Sequence, residues 1–465
     1  MKYTTVVAIV AALLELSNAA IPGDQVLSLP GWDGPLPTKQ YSGYIEIDAT
    51  TGKYLHYWFV ESASDPANDP VVLWMNGGPG CSSLDGYFNE QGPLHFNRSE
   101  ASLNATIPSL VLNPYAWNRI ANMIFLEAPA GVGFSYSNTP SDYITNDNKT
   151  AQDNYNFLLQ WFAAYPEYKN NDFYVSGESY AGIYVPTLVN QIRIMNEQGA
   201  SNINLKGFLV GNGCIGNTVG GCGDVSGIKI HMDFYHGHAL FPDALYDTLV
   251  ANCNFSDPFV EPCRSLLHDI AAIIGRVNIY DIYEPCDPYG SSNGQSRARN
   301  VLKEVLEGSL GKGSYQGPDE CISDSTESKY FNNDEVRAAI HVAPMSKIPT
   351  WYICTPNLNY TGNTDSLLPI YPTLIRTYRT LIYNGDVDGC VPYIGDEQWT
   401  SGLGFSEKEG WRPWMINDQV AGYVTVYDTN SFTFLTVKGS GHMVPQFQPE
   451  SAFAMFERFI KNEPF

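Results

Sequence analysis

Six residues, Gly177-Glu178-Ser179-Tyr180-Ala181-Gly182, set a serine between the apolar run Phe173-Tyr174-Val175 and a helix-like stretch beginning near Ala181. Small residues on both sides of Ser179 allow a strained strand-to-helix turn. Such a turn pushes the hydroxyl outward and leaves the backbone N–H of Tyr180 facing a developing oxyanion. The chemistry on offer is nucleophilic attack on a carbonyl. A Gly/Ser turn with no chemical role has the same local composition, so the partners of Ser179 decide.

A serine nucleophile needs a base and an acid to orient it, and on a wound sheet both follow later in the chain, each after a strand. His442 fits, in Gly439-Ser440-Gly441-His442-Met443-Val444-Pro445 directly after the last strand signal. His56, His95, His231, His236, His238, His268 and His341 lie on earlier strands or in a cysteine-rich insert, where surface or structural roles suit them. The group His231, His236 and His238 lacks the carboxylate or thiolate that would complete a metal site, and no metal or other cofactor is expected. The acid should come from Asn384-Gly385-Asp386-Val387-Asp388-Gly389, where spacing alone admits either aspartate and the other would shape the turn. A further segment, Leu73-Trp74-Met75-Asn76-Gly77-Gly78-Pro79-Gly80-Cys81-Ser82-Ser83, begins as a strand and becomes a glycine-rich loop that lets a backbone N–H approach a substrate oxygen. It lacks the lysine that would follow in a phosphate cradle.

The elements that must hold these loops are legible as periodic runs. Tyr44-Ile45-Glu46-Ile47 and Tyr54-Leu55-His56-Tyr57-Trp58-Phe59 alternate on either side of Ala49-Thr50-Thr51-Gly52, which predicts a hairpin. Short continuous apolar runs at 71–75, 123–126, 173–175 and 208–210, bounded by Gly, Pro or Asn, suit buried parallel strands. Ala151, Tyr155, Leu158, Leu159 and Phe162 recur at helical spacing before Pro166, so strand and helix alternate as in a wound α/β sheet. From about Gly213 to Cys354 the alternation gives way to short polar segments rich in cysteine, read as an inserted cap. Strand signals return at 380–383 and 432–437, and Ala452, Met455, Phe456 and Phe459 predict a closing helix.

The chain has 465 residues, which suits one catalytic core with a large insertion. Lys2, the apolar run from Val6 to Leu14 and the small residues Ser17-Asn18-Ala19-Ala20 read as a secretory signal, too short to cross a bilayer. Asn97, Asn104, Asn148, Asn254 and Asn359 stand in glycosylation acceptor triplets. The nine cysteines show no metal-ligand spacing, so an oxidising compartment favours disulfides, with one thiol left over. Twenty-six basic against 49 acidic residues give a formal charge of −23, which argues against nucleic-acid and anionic-membrane partners.

Together these blocks resemble the serine carboxypeptidase family. The resemblance runs from Tyr41-Ser42-Gly43-Tyr44 through Glu127-Ala128-Pro129-Ala130-Gly131-Val132-Gly133-Phe134-Ser135-Tyr136 to Gly441-His442-Met443-Val444-Pro445. It implies an α/β-hydrolase fold with a central, mostly parallel sheet and an inserted, disulfide-rich cap. The expected division is a signal peptide at 1–19, core at 20–212, cap at 213–355 and core again at 356–465.

The resemblance also implies site roles: Ser179, Asp388 and His442 as a catalytic triad, with the N–H groups of Gly78 and Tyr180 as the oxyanion hole. A substrate's terminal carboxylate would be recognised by Trp74, Asn76, Glu90 in Phe88-Asn89-Glu90-Gln91-Gly92-Pro93, and Glu178. Two glutamates in contact cannot both ionise, so they would share a proton and bind the carboxylate best at acid pH. Pairings carried over are Cys81–Cys354, Cys253–Cys263 and Cys286–Cys321; Cys214 and Cys222, close in sequence, would form a fourth, leaving Cys390 as the odd thiol.

The implied activity is a serine-type carboxypeptidase releasing C-terminal amino acids from peptides and proteins at acid pH through an acyl-enzyme. It would act in the secretory pathway, outside the cell or in a lysosome or vacuole, as a monomer or homodimer. Two other readings are an acyltransferase and a catalytically silent secreted binding glycoprotein. Acyltransferase relatives commonly carry Asp before the serine and replace the asparagine, so Glu178 and Asn76 favour the peptidase. The complete set of catalytic residues argues against the silent protein.

Overall fold

Short apolar runs bounded by Gly, Pro or Asn can hide both faces only inside a covered sheet. That is where they lie in the computed structural model, which describes residues 21–223, 225–275, 277–286 and 325–465. Twelve strands form one sheet: β1 Gln25–Val26, β2 Gln40–Asp48, β3 Lys53–Val60, β4 Val71–Met75, β5 Asn122–Leu126, β6 Tyr136–Ser137, β7 Phe173–Glu178, β8 Leu205–Gly211, β9 Arg379–Gly385, β10 Glu407–Ile416, β11 Gln419–Tyr427 and β12 Phe432–Val437. Their order across the sheet is β1-β2-β3-β5-β4-β7-β8-β9-β12-β11-β10, with β6 paired to β3. The central run β5-β4-β7-β8-β9-β12 is parallel throughout. Antiparallel strands close both ends.

Side chains alternate across this sheet and build two cores. Leu73, Met75, Val175, Phe208, Ile382 and Phe434 face one side, covered by α1 (Asp147–Ala164) and α2 (Ala181–Glu197), which pack on each other. Val72, Trp74, Tyr174, Leu209, Leu381 and Leu435 face the other. The Asn146 side chain caps α1 by accepting the Lys149 N–H at 3.0 Å, and α1 ends before Pro166, as the periodicity predicts.

Three further helices, α3 (Ser226–Gly237), α4 (Asp243–Asn252) and α5 (Cys263–Ile274), gather a separate small core around Ile228, Met232, Leu249, Leu267 and Ile270. Tyr330, Phe331, Val336 and Ile340, later in the expected cap, instead pack into the second core of the sheet. Beyond β9 lie α6 (Tyr393–Gly402) and α7 (Pro449–Lys461), and α7 turns Ala452, Met455, Phe456 and Phe459 onto that same second core. The hairpin of β10 and β11 was not legible as strands in the sequence. β10 is largely exposed and carries Pro413, so it lacks the alternation that marks a half-buried strand.

Disulfides join Cys81 to Cys354, Cys214 to Cys222 and Cys253 to Cys263, as expected. The expected signal peptide and Cys321, the expected partner of Cys286, lie outside the described residues. Asn104, Asn148, Asn254 and Asn359 are exposed and Asn97 is half-buried, so each glycosylation triplet reaches the surface. Among the described residues no helix is long and apolar enough to cross a membrane.

Burial lifts two acids of the frame, Glu327 and Asp396 on α6, each to about 7. Unfolded carboxyls titrate near 4, so the folded chain holds these protons more tightly. That stabilisation is complete below about pH 4 and is lost as the pH climbs toward 7. His95, which burial pushes down to about 4, and His231, which burial also lowers, work in the opposite sense as the pH falls below about 6.5 and offset part of that gain. The melting temperature is therefore expected to be higher at pH 5.5 than at pH 8, by roughly 5 °C. Scanning calorimetry at the two pH values checks this, and a melting temperature that rises toward pH 8 contradicts it.

Candidate active site

Parallel strands deliver loops to one edge of the sheet, at their carboxyl ends, and the predicted residues meet there. β7 ends at Glu178, α2 begins at Ala181, and Ser179 between them sits at φ +63°, the strained conformation of a nucleophile elbow. The Ser179 N–H donates to the Gly211 carbonyl at 3.0 Å, and its own carbonyl accepts from Gly182 at 2.9 Å and Cys214 at 3.0 Å. The turn is thus pinned on both sides, with the side chain half-buried.

The glycine loop that follows β4 lies directly against this turn. A Cβ added to Gly77 would stand 2.4 Å from the Tyr180 nitrogen and 2.9 Å from the Ser179 Cβ, so only glycine allows the approach. Gly78, next in line at φ +112°, carries the loop past the elbow. The Tyr180 hydroxyl donates to Asp147 Oδ1 at 2.9 Å. Asp147 is buried at the start of α1, and it also accepts from the Tyr360 hydroxyl and from the N–H groups of Asn363 and Thr364. Asp147 therefore ties the elbow to the chain entering the second half of the core.

Of the two aspartates after β9, Asp388 reaches the histidine: its Oδ2 accepts from His442 Nδ1 at 2.7 Å. Asp386 shapes the turn, accepting the Gly439 N–H at 2.6 Å. Asp388 is fully buried and takes three more donors: Asn212 Nδ2 at 2.7 Å, the Cys390 N–H at 2.8 Å and the Val391 N–H at 3.2 Å. The His442 N–H donates to the Tyr280 carbonyl at 2.6 Å, and the Tyr280 ring packs edge-on against the imidazole at 5.2 Å. His442 Nε2 is buried and has no hydrogen-bond partner among the described residues, which leaves it available to a serine hydroxyl.

Beside the elbow, one amide bridges two acids. Asn76 Nδ2 donates to Glu90 Oε1 at 3.0 Å and to Glu178 Oε1 at 3.1 Å. Glu90 arrives on a wide π-type turn, Gly86–Glu90, and Glu178 on the last residue of β7. Both are buried, and their Oε2 atoms find no donor among the described residues. Burial, with Asp85 nearby, pushes the Glu90 carboxyl up to about 8. Burial and the neighbouring Glu90 push Glu178 well above the usual carboxyl range. A proton between the two carboxyls satisfies both. Trp74 enters differently from the role the resemblance implied. It is fully buried, and its indole N–H donates to Asn76 Oδ1 at 2.7 Å, so it orients the amide and keeps no donor for a ligand.

The three clustered histidines of the sequence are engaged elsewhere. His231 bonds the Gly227 and Cys390 carbonyls, His236 bonds Asp243, and His238 bonds the Phe234 carbonyl. Among the described residues no three His, Cys, Asp or Glu side chains gather as a metal site. Cys390 is half-buried two residues past Asp388 and stands outside the three disulfides. Asn212 and Asp147 were missed in the sequence. The signal for Asn212 was its position at the carboxyl end of the apolar strand 205–211, where a parallel sheet exposes its site.

The serine carboxypeptidase family model matches residues 30–462. Serine carboxypeptidase 1 of Hordeum vulgare is 40% identical, over 95% of this chain and 93% of that protein. The lysosomal protective protein of Mus musculus is 38% identical, over 97% of this chain and 96% of that protein. In fold, the chain is similar to the crystal structure of a prohormone-processing carboxypeptidase from Saccharomyces cerevisiae, with a TM-score of 0.72 at 22% identity, over 95% of this chain and 96% of that one. With a match over almost its full length, and relatives of matching length, this chain belongs to the serine carboxypeptidase family.

Proposed function

We propose that this chain is a serine-type carboxypeptidase that removes the last residue of peptides and proteins at acid pH through an acyl-enzyme. The observation that carries this reading is the buried Glu90–Asn76–Glu178 bridge one residue from Ser179. An endopeptidase has no use for two buried acids beside its nucleophile. An enzyme that must grip a terminal carboxylate does: the protonated acids and the Asn76 amide donate hydrogen bonds to it, and the ionised acids repel it. The acyltransferase reading is not favoured, because Glu178 and Asn76 keep the peptidase pattern.

With the terminal carboxylate held there, the preceding carbonyl reaches Ser179. The hydroxyl attacks as His442 Nε2 takes its proton, and Asp388 holds the imidazole tautomer and steadies the cation. The N–H groups of Gly78 and Tyr180 stabilise the oxyanion, His442 returns the proton to the leaving amine, and water hydrolyses the ester by the same route. A secretory location is supported by the three disulfides and the exposed acceptor asparagines.

Because burial raises both acids, binding of a free carboxylate is complete at acid pH and is lost as the pH rises through their titration, near 8 for Glu90. Between pH 6 and 9, kcat/KM for a blocked dipeptide should fall about tenfold or more relative to the same dipeptide amidated. Parallel steady-state assays test this, and coincident profiles would sink the clamp.

Ser179→Ala should lower kcat by about 10⁴-fold or more and abolish fluorophosphonate labelling while leaving the blocked dipeptide bound. Stopped assays and equilibrium dialysis read these outcomes. Asn212→Ala removes a charged hydrogen bond from Asp388 and should cut kcat about 10- to 100-fold on acid and amide alike, with KM nearly unchanged. A KM effect confined to the free acid would argue instead that Asn212 serves the clamp.

A further inference from the structure

Three strands bring Glu178, Gly211 and Tyr383 side by side: Glu178 of β7 pairs in register with Gly211 of β8, and Gly211 with Tyr383 of β9. Residues in register point to one face, so Glu178 and Tyr383 flank a position that has no side chain. The gap is filled by the tyrosine. A Cβ added to Gly211 would stand 2.5 Å from Tyr383 Cζ and 2.6 Å from its hydroxyl oxygen, so the end of the ring lies over the Gly211 backbone. From there the hydroxyl is about one strand spacing, roughly 4.8 Å, from the row that carries Glu178.

Three buried polar atoms of residues that act on one another electrostatically have no hydrogen-bond partner among the described residues: the Tyr383 hydroxyl and the Oε2 atoms of Glu90 and Glu178. The hydroxyl is kept from ionising chiefly by burial and then by the charges of Glu178 and Glu90. It is therefore a donor across the working pH range, beside two carboxyls that have one shared proton between them.

We propose that Tyr383 is a positioning residue of the carboxylate clamp, its hydroxyl crossing Gly211 to hydrogen-bond the Glu178 carboxyl and orient the acid that meets the substrate. The inference rests on the clamp reading above. No bond is made or broken in this step; the hydroxyl keeps its proton and donates a hydrogen bond. The titratable groups acting on the pair are Asp85 beside the Glu90 turn, Asp388 of the triad, Tyr383, and the two acids on each other. Of these groups outside the pair, Tyr383 alone is a neutral donor. A donor favours the ionised form of a carboxyl over the neutral form, so Tyr383 holds the titration of the pair lower than burial alone would.

Tyr383→Phe keeps the ring over Gly211 and removes only the hydroxyl. At pH 5 it should raise KM for a blocked dipeptide about fivefold. It should also move the alkaline fall of kcat/KM for that substrate upward by about half a pH unit or more. Turnover of the amidated dipeptide should stay within about twofold of wild type, which also reports that the variant is folded. Loss of rate on acid and amide alike, or absence of either the KM rise or the upward shift, overturns the role of Tyr383 while wild type still separates the two substrates. A wild type whose acid and amide profiles coincide overturns the clamp, and this inference with it.

Discussion

Two buried carboxyls that touch the same amide cannot both carry charge, and the organisation of this enzyme follows from that constraint. Keeping them together requires three segments distant in sequence. The end of β4 supplies Asn76, already oriented by Trp74; the wide turn after it supplies Glu90; and β7 supplies Glu178. A parallel sheet meets this demand because its strands release their loops at one edge. Glu178 and Ser179 are adjacent in the chain, so under the proposed function a single peptide bond couples recognition of a terminal carboxylate to attack on the carbonyl before it.

The nucleophile's other supports are built with the same economy. Asp388 is buried with four donors around it, which fix its side chain against the His442 imidazole away from water. The Tyr180 side chain, anchored on Asp147, braces the turn whose N–H is proposed to face the oxyanion. Tyr280, from the insert between the two halves of the sheet, receives the His442 N–H, so the insert helps hold the base. The disulfide from Cys81 to Cys354 closes the glycine loop onto the far end of that insert.

Much of this was legible in the sequence, for reasons that differ by element. The central strands could be read because burial on both faces leaves unbroken apolar runs such as Val71–Met75, and α1 because its buried residues recur at helical spacing. Ser179 and His442 could be read because their loops follow strands and are rich in glycine. The choice between Asp386 and Asp388 could not be made from spacing, since both follow β9; what separates them is the register of the Gly439 loop, a contact between distant segments. Asn212 and Tyr383 escaped for the same reason. Each looks like the end of a core strand, and its role exists only once β7, β8 and β9 lie side by side. Trp74 was found, but sequence cannot say where an indole N–H is spent.

The central claim is that this enzyme binds a carboxylate with protonated acids rather than with a fixed cation. Proton linkage reads that directly. In calorimetric titrations of the Ser179→Ala protein with a blocked dipeptide, repeated in buffers of different ionisation enthalpy, binding should take up protons increasingly as the pH is raised toward 8, with none taken up at pH 5 and none for the amidated dipeptide. Binding that takes up no proton at any pH, or releases one, would contradict the account.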